Sequence, residues 1–270
     1  MLLYYNEKKY FLFKNLEIFG GIYSIIWNIG FRGDTIVKIT KKWLVYLFPM
    51  FLIVGGCSNE PSVEEQVYTK LEEVVTLEAS FKEQQEPLVE LEKDEKKIYD
   101  EIISLSMKEY DQIVALSSEA LSLVEERLSR IEKEHESINA SKSEFETVVP
   151  IIEQIEDENL MEEANKVVDI MNRRYEAYDQ LYTNYKNAIS LDKKLYELFQ
   201  QEDLSLEVLE NHIKEINESY DLVMNSNKEF NQLTEEYNKA KLKFYKDSGL
   251  NIVYEEEQDS EEQNKESSNS

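Results

Sequence analysis

Turn-forming residues are almost missing from most of this chain. Of 270 residues seven are glycine, and six of those (Gly20, Gly21, Gly30, Gly33, Gly55 and Gly56) precede Cys57, leaving Gly249 alone behind it. The prolines beyond that point are Pro61, Pro87 and Pro150. Sandwiches, barrels and α/β folds need many tight turns, and tight turns draw on Gly, Pro and Asn-Gly at special backbone angles. Their scarcity excludes those folds over more than two hundred residues and leaves long helices. A phosphate-cradling glycine loop is excluded on the same ground. Cysteine occurs once, which rules out an internal disulfide and any multi-cysteine metal site. The two histidines, His135 and His212, stand apart with no ligand-spaced partners, so no metal or cofactor site is expected.

Positive charge is also scarce past Cys57. Residues 1–57 hold seven Lys/Arg against three Asp/Glu; the totals of 30 and 56 then leave 23 basic and 53 acidic residues, a net of −30. Such a surface repels nucleic acid and anionic headgroups, so nucleic-acid binding is not expected. Paired carboxylates are frequent, as they must be at this composition, and read as solvated helix faces rather than catalytic acid–base pairs. No enzyme activity is expected.

What is present begins with an export signal. Lys38, Lys41 and Lys42 precede the apolar run Trp43–Val54, which ends Val54-Gly55-Gly56-Cys57. A basic start, an apolar stretch shorter than the ~20 residues of a membrane span and small residues at a cleavage point describe a secretory signal. Here the small residues abut the cysteine. This is the pattern of a bacterial lipobox, in which the Cys57 thiol takes diacylglycerol and anchors the chain to the outer face of the membrane. Residues 38–57 are therefore read as the signal segment. Residues 1–37 fit that scheme badly. Either the start is assigned too far upstream, with Val37 the initiator, or an N-terminal extension adds a membrane-associated segment; the first is preferred.

Residues 58–254 carry a helical apolar rhythm and are read as the bundle domain, and 255–270, with seven acids and no large apolar residue, as a disordered acidic tail. Val67, Leu71, Val74 and Leu77 open the first helix. Pro87 either starts a second helix or kinks a continuous one. A stripe at steps of four and three runs Ile103, Met107, Tyr110, Val114, Ser117, Leu121, Val124, Leu128, Ile131, His135, Ile138, with Ile113, Leu116, Ala120 and Leu123 flanking it. Asn139–Thr147 is the expected turn, capped by Ser143 with Glu146 or by Thr147. A third stripe runs from Met161 to Phe199 and a fourth, after an N-cap at Ser205, from Leu206 to Phe244, with Gly249 as the stop. The expected fold is all-α: an elongated antiparallel up-and-down bundle of three to four long helices. Two helices of about fifty residues make a rod on the order of 75 Å long.

Tyr175, Tyr178, Tyr182 and Tyr185 share one helix face. An exposed strip of this kind stacks on the sugar rings of peptidoglycan or anchors a protein partner. Their register continues Val168 and Met171 into Ile189, however, which favours core positions. Asp192, Asn227, Thr234 and Lys241 also fall on apolar stripes, where polar residues fix register or mark an accessible end.

These features together resemble the YkyA-like family of cell-wall-binding lipoproteins of Gram-positive bacteria. The likeness spans about Cys57 to Val253. It rests on the lipobox followed by Ser-Asn-Glu-Pro, on Tyr175-Glu-Ala-Tyr178-Asp-Gln-Leu-Tyr182, on Leu191-Asp-Lys-Lys-Leu-Tyr196, on Glu202-Asp203-Leu204, and on Phe244-Tyr245 with Gly249-Leu250. It implies a helical bundle outside the membrane and transfers no functional residues. The resulting expectation is a non-enzymatic lipoprotein, wall-binding or scaffolding, at the membrane–wall interface. The alternative is an accessory protein that engages an envelope enzyme or secretion partner through a helix face.

Overall fold

The computed structural model describes residues 61–250, and those residues form an up-and-down helical bundle with no strand among them. The first arm is α1 (Val63–Leu77) followed almost directly by α2 (Ala79–Ser104). After a 3₁₀ turn (Met107–Glu109), α3 (Tyr110–Phe145) returns alongside it. A short α4 (Val149–Ile152) leads into α5 (Glu158–Phe199), and α6 (Leu206–Asp247) closes the bundle. At ~1.5 Å per residue, α5 and α6 are each about 63 Å long, shorter than the rod expected from the sequence. The N-terminus of α1, the α3–α5 connection and the C-terminus of α6 share one end. The turns at 105–109 and 200–205 form the other.

The long second stripe expected from Ile103 onward is two elements rather than one. The chain folds back at Leu105, where the backbone turns extended, and Ser106 with Glu109 forms a capping box that starts the return. Met107 is consequently exposed. Pro87 neither opens a helix nor separates two. It sits inside α2, where its missing N–H leaves the carbonyl of Glu83 without its helical donor.

The break in the first arm falls instead at Glu78, and its cause lies on another helix. In an unbroken helix the Phe81 amide would donate to the Leu77 carbonyl. Here the Ser137 hydroxyl of α3 stands between them, accepting from Phe81 N at 3.2 Å and donating to Leu77 O at 2.6 Å. A side chain inserted into the hydrogen-bond ladder bends a helix while leaving no backbone group unpaired.

At the next turn the expected caps are absent. Ser143 and Thr147 donate back to Asn139 O and Glu144 O as interior hydroxyls do, α3 continues to Phe145, and Asp157 caps α5 by accepting from Asn159 N and Leu160 N. The Ser205 cap, accepting from Val208 N at 3.3 Å, and the α5 terminus beside Gln200 lie as the sequence indicates. Gly249 has φ +74° just past α6, a conformation that favours glycine.

The core is filled in two apolar blocks. One, toward the 105–109 and 200–205 turns, centres on Ile102, Val124, Ile189 and Ile216; the other centres on Val67, Phe145, Met171 and Phe244. Each block is interrupted by buried charge, at Arg127 in the first and at Arg174 in the second.

Candidate functional site

On α3 the buried seam is Ile113, Ser117, Ala120, Val124, Arg127, Ile131, Glu134, Ile138, Ser141 and Phe145, an unbroken alternation of four and three. Two of its positions hold charged residues. Arg127 has no solvent exposure at all. Its guanidinium donates through Nη1 to Glu95 Oε2 (2.6 Å) and Asp192 Oδ2 (3.0 Å), and through Nη2 to the hydroxyls of Tyr185 (3.2 Å) and Tyr220 (3.0 Å). Glu92 stands 3.6 Å away and accepts the Tyr185 hydroxyl, while Tyr220 donates to Asp192 at 2.5 Å. All four long helical arms meet in this layer: Glu92 and Glu95 from α2, Arg127 from α3, Tyr185 and Asp192 from α5, Tyr220 from α6.

Three carboxyls surround one cation, so the layer is acidic even when fully paired. Burial pushes Glu92 and Glu95 each up to about 7, against the pull of Arg127, and raises Asp192 for the same reason. The interior thus holds protons near neutrality.

A second layer lies toward the α1 end. Glu78, at the joint of the first arm, grips Arg174 of α5 with both oxygens, at 2.8 and 2.7 Å. Arg174 also donates to Thr234 of α6 at 2.9 Å, and its plane lies over the Phe230 ring. Ser141 of α3 donates to Glu78 and meets the Tyr175 hydroxyl.

Between the two layers α2, α3, α5 and α6 line a cavity of about 60 Å³, bounded by the rings of Phe81, Tyr178, Tyr182, Tyr185 and Phe230 and by the carboxyls of Glu92 and Glu134. Glu134 is buried and accepts from the Gln85 amide, but no Lys or Arg among the described residues pairs with it. Burial raises its carboxyl well above the ordinary range.

The four tyrosines of the shared face are distributed along this interior. Tyr175 and Tyr178 are buried in the core, whereas Tyr182 and Tyr185 are half-buried at the cavity. Asp192 and Asn227 are buried, and Thr234 and Lys241 are half-buried, Lys241 pairing with Glu72 at 3.0 Å. His135 is half-buried rather than a core residue, stacked on Tyr182 with ring centres 3.9 Å apart. His212 is buried and hydrogen-bonds the Leu191 carbonyl through Nε2 at 2.8 Å. The described residues contain no cluster of His, Cys, Asp and Glu suited to a metal ion. Val54, Gly55, Gly56 and Cys57 lie outside the described residues, as do 1–37 and the acidic tail.

Residues 62–247 match the YkyA family, described as "Putative cell-wall binding lipoprotein". The chain belongs to the YkyA family. It is 36% identical over 203 residues to the uncharacterized lipoprotein YkyA of Bacillus subtilis (strain 168), an alignment covering 75% of this chain and 91% of that protein. A crystal structure of a conserved Staphylococcus aureus protein of unknown function superposes with a TM-score of 0.61 at 17% identity, covering 69% of this chain and 97% of the other. That likeness shows a shared bundle fold. The YkyA family is one of lipoproteins with a binding description rather than a family of enzymes. No helix among the described residues is long and apolar enough to cross a membrane.

The sequence reading missed Arg127, Glu95, Glu134 and Arg174 because it followed apolar residues. The signal was nonetheless present. Extending the interval pattern of Ile113, Ser117, Ala120 and Val124 lands on Arg127 and then on Glu134.

Proposed function

We propose that this YkyA-family protein is a non-catalytic lipoprotein on the extracytoplasmic face of the membrane, held by diacylglycerol on Cys57, with a bundle that acts as a wall-binding or scaffold module. The observation that carries the reading is the Val54-Gly55-Gly56-Cys57 motif, only a few residues ahead of Ser62, which caps α1. With so short a link, the α1 end faces the bilayer and the turns at 105–109 and 200–205 stand about 60 Å from it, toward the wall. The fold supports a spacer of this kind. The exposed large apolar side chains (Val75, Leu77, Met107, Val149, Val208 and Leu222) are scattered over three helices and a turn. Wall contact by the part after Cys57, with its net charge of −30, would rest on hydrogen bonds, aromatic stacking or bridging cations rather than on charge attraction.

Two measurements test this. Metabolic labelling with a palmitate analogue should mark the parent chain and not Cys57→Ser, and an unlabelled parent removes the anchor. Purified peptidoglycan sacculi should retain the protein at moderate salt, with or without divalent cations. No retention in either condition leaves the scaffold reading and removes the wall.

A further inference from the structure

The cavity between the two arginine layers has an unusual combination of walls. Its carboxyls and its rings come from all four helical arms, so the site exists only once the bundle has closed. Glu134 is about nine-tenths buried, carries the Gln85 amide as a hydrogen-bond partner, and has no ion-pair partner among the described residues. Glu92 opens on the same space, and its distance of 3.6 Å to Arg127 leaves that cation more closely engaged with Glu95 and Asp192. A carboxylate buried without a counter-charge is costly, and an apolar residue of equal volume would have filled the position at lower cost.

We propose that this cavity is a binding site for a small organic cation, an amine or ammonium compound whose charge sits between Glu92 and Glu134 and whose apolar part lies against Tyr178, Tyr182 and Phe230. Ring faces attract cations electrostatically, more strongly where water is excluded. The Gln85 and Asn227 side chains supply neutral polar partners at the same site. The chemistry disfavours the other occupants. An anion meets two carboxyls. A hard divalent ion asks for six or more oxygen ligands, and the residues here supply two carboxyls with no third His, Cys, Asp or Glu in ligand range among those described. An ammonium group needs only a few acceptors and gains from the rings. With at least 10–15 Å³ per water, the space admits roughly four to six non-hydrogen atoms. The carboxyls that burial holds in the protonated range would ionise beside a bound cation, which ties occupancy to proton release. None of this depends on the membrane anchor or on wall binding.

The test is calorimetric titration of the full chain with n-butylammonium and tetramethylammonium chloride, against n-butanol as the neutral isostere and sodium chloride at matched ionic strength. Saturable one-site binding of the ammonium compounds is expected, with butanol at least tenfold weaker. Glu134→Gln should weaken butylammonium at least tenfold with helix content unchanged, which separates the site from diffuse attraction to an acidic surface. Should that variant not fold, magnetisation transfer in the parent from the butylammonium methylenes to the Tyr178 and Tyr182 rings gives the answer without any substitution. Equal affinity for butanol, affinity within twofold in a folded Glu134→Gln, absence of saturable binding, or absence of ring transfer would each overturn the proposal.

Discussion

Replacing Arg127 with methionine keeps an unbranched apolar stem and removes the cation shared by Glu92, Glu95 and Asp192. The three carboxyls lie at 3.6, 2.6 and 3.0 Å from the guanidinium, and all are buried. Breaking a buried ion pair from one side costs about 3–5 kcal/mol, because the partner charge stays behind in a medium that cannot solvate it. The stranded carboxyls have one escape, which is to take up protons. That escape has a pH-dependent cost. For a glutamate with an unfolded value of 4.5, holding a proton at pH 8 costs about 1.36 kcal/mol for each of 3.5 pH units, near 5 kcal/mol, and at pH 5 less than about 1 kcal/mol. The penalty of Arg127→Met should accordingly be about 3–5 kcal/mol at pH 8 and shrink to about 1–2 kcal/mol at pH 5. Urea unfolding followed by circular dichroism at both pH values measures it. A loss below about 1 kcal/mol at pH 8, or an equal loss at the two pH values, would show that the layer is not held by charge.

The parent chain should itself be less stable at pH 8 than at pH 5. Glu92 and Glu95 keep protons to about 7 when folded and to the ordinary 4.5 when unfolded, so the folded state binds more protons in that window and loses about 2–5 kcal/mol across it. Surface carboxylates act in the same direction through repulsion; the double variant Glu92→Gln/Glu95→Gln should therefore reduce the slope, and an unchanged slope would assign the whole effect to the surface. Glu78→Gln removes the half-buried carboxylate partner of the buried Arg174 and should cost about 3 kcal/mol in urea. Arg174→Lys should be similarly damaging despite its retained charge, since an ammonium cannot make the two-pronged contact. Ser137→Ala should cost about 1–3 kcal/mol and accelerate hydrogen exchange of the Phe81 amide, which loses its acceptor.

What the sequence made legible follows from which forces act locally. The Ser205 cap and the Gly249 stop depend on neighbours a few residues away, and both were readable. The all-α bundle followed from the shortage of glycine. The fold-back at Leu105 was not readable, because Ile103, Met107 and Tyr110 continue a helical spacing and the turn carries neither Gly nor Pro. It is decided by the arms pairing side by side. The bend at Glu78 was hidden for a different reason: its cause, Ser137, lies 56 residues from the amide it accepts from. The interior charges were obscured by the assumption that a core stripe is apolar. On α3 that assumption moved the seam onto Leu121, Leu128 and His135, which are half-buried, and away from Arg127 and Glu134, which are buried.

The two arginine layers also explain how a bundle of such repetitive helices settles on one register. A four-and-three pattern of apolar residues is nearly indifferent to sliding one helix past another by seven residues. The charged layers are not. Moving α3 by one heptad takes Arg127 away from Glu95 and Asp192, and it separates Ser137 from the Phe81–Leu77 gap. Moving α5 takes Arg174 from Glu78 and Asp192 from Arg127 in the same step. Each separation strands a buried charge at about 3–5 kcal/mol, a large share of the ~5–15 kcal/mol that separates a folded domain from its unfolded chain. Because the layers draw on different helices at different heights, no single slip satisfies both. In that account the polar interior contributes less to the total stability than to the uniqueness of the fold. The cavity lies between two levels fixed in this way, which is why its carboxyls and rings can be held at constant separation in so narrow a rod.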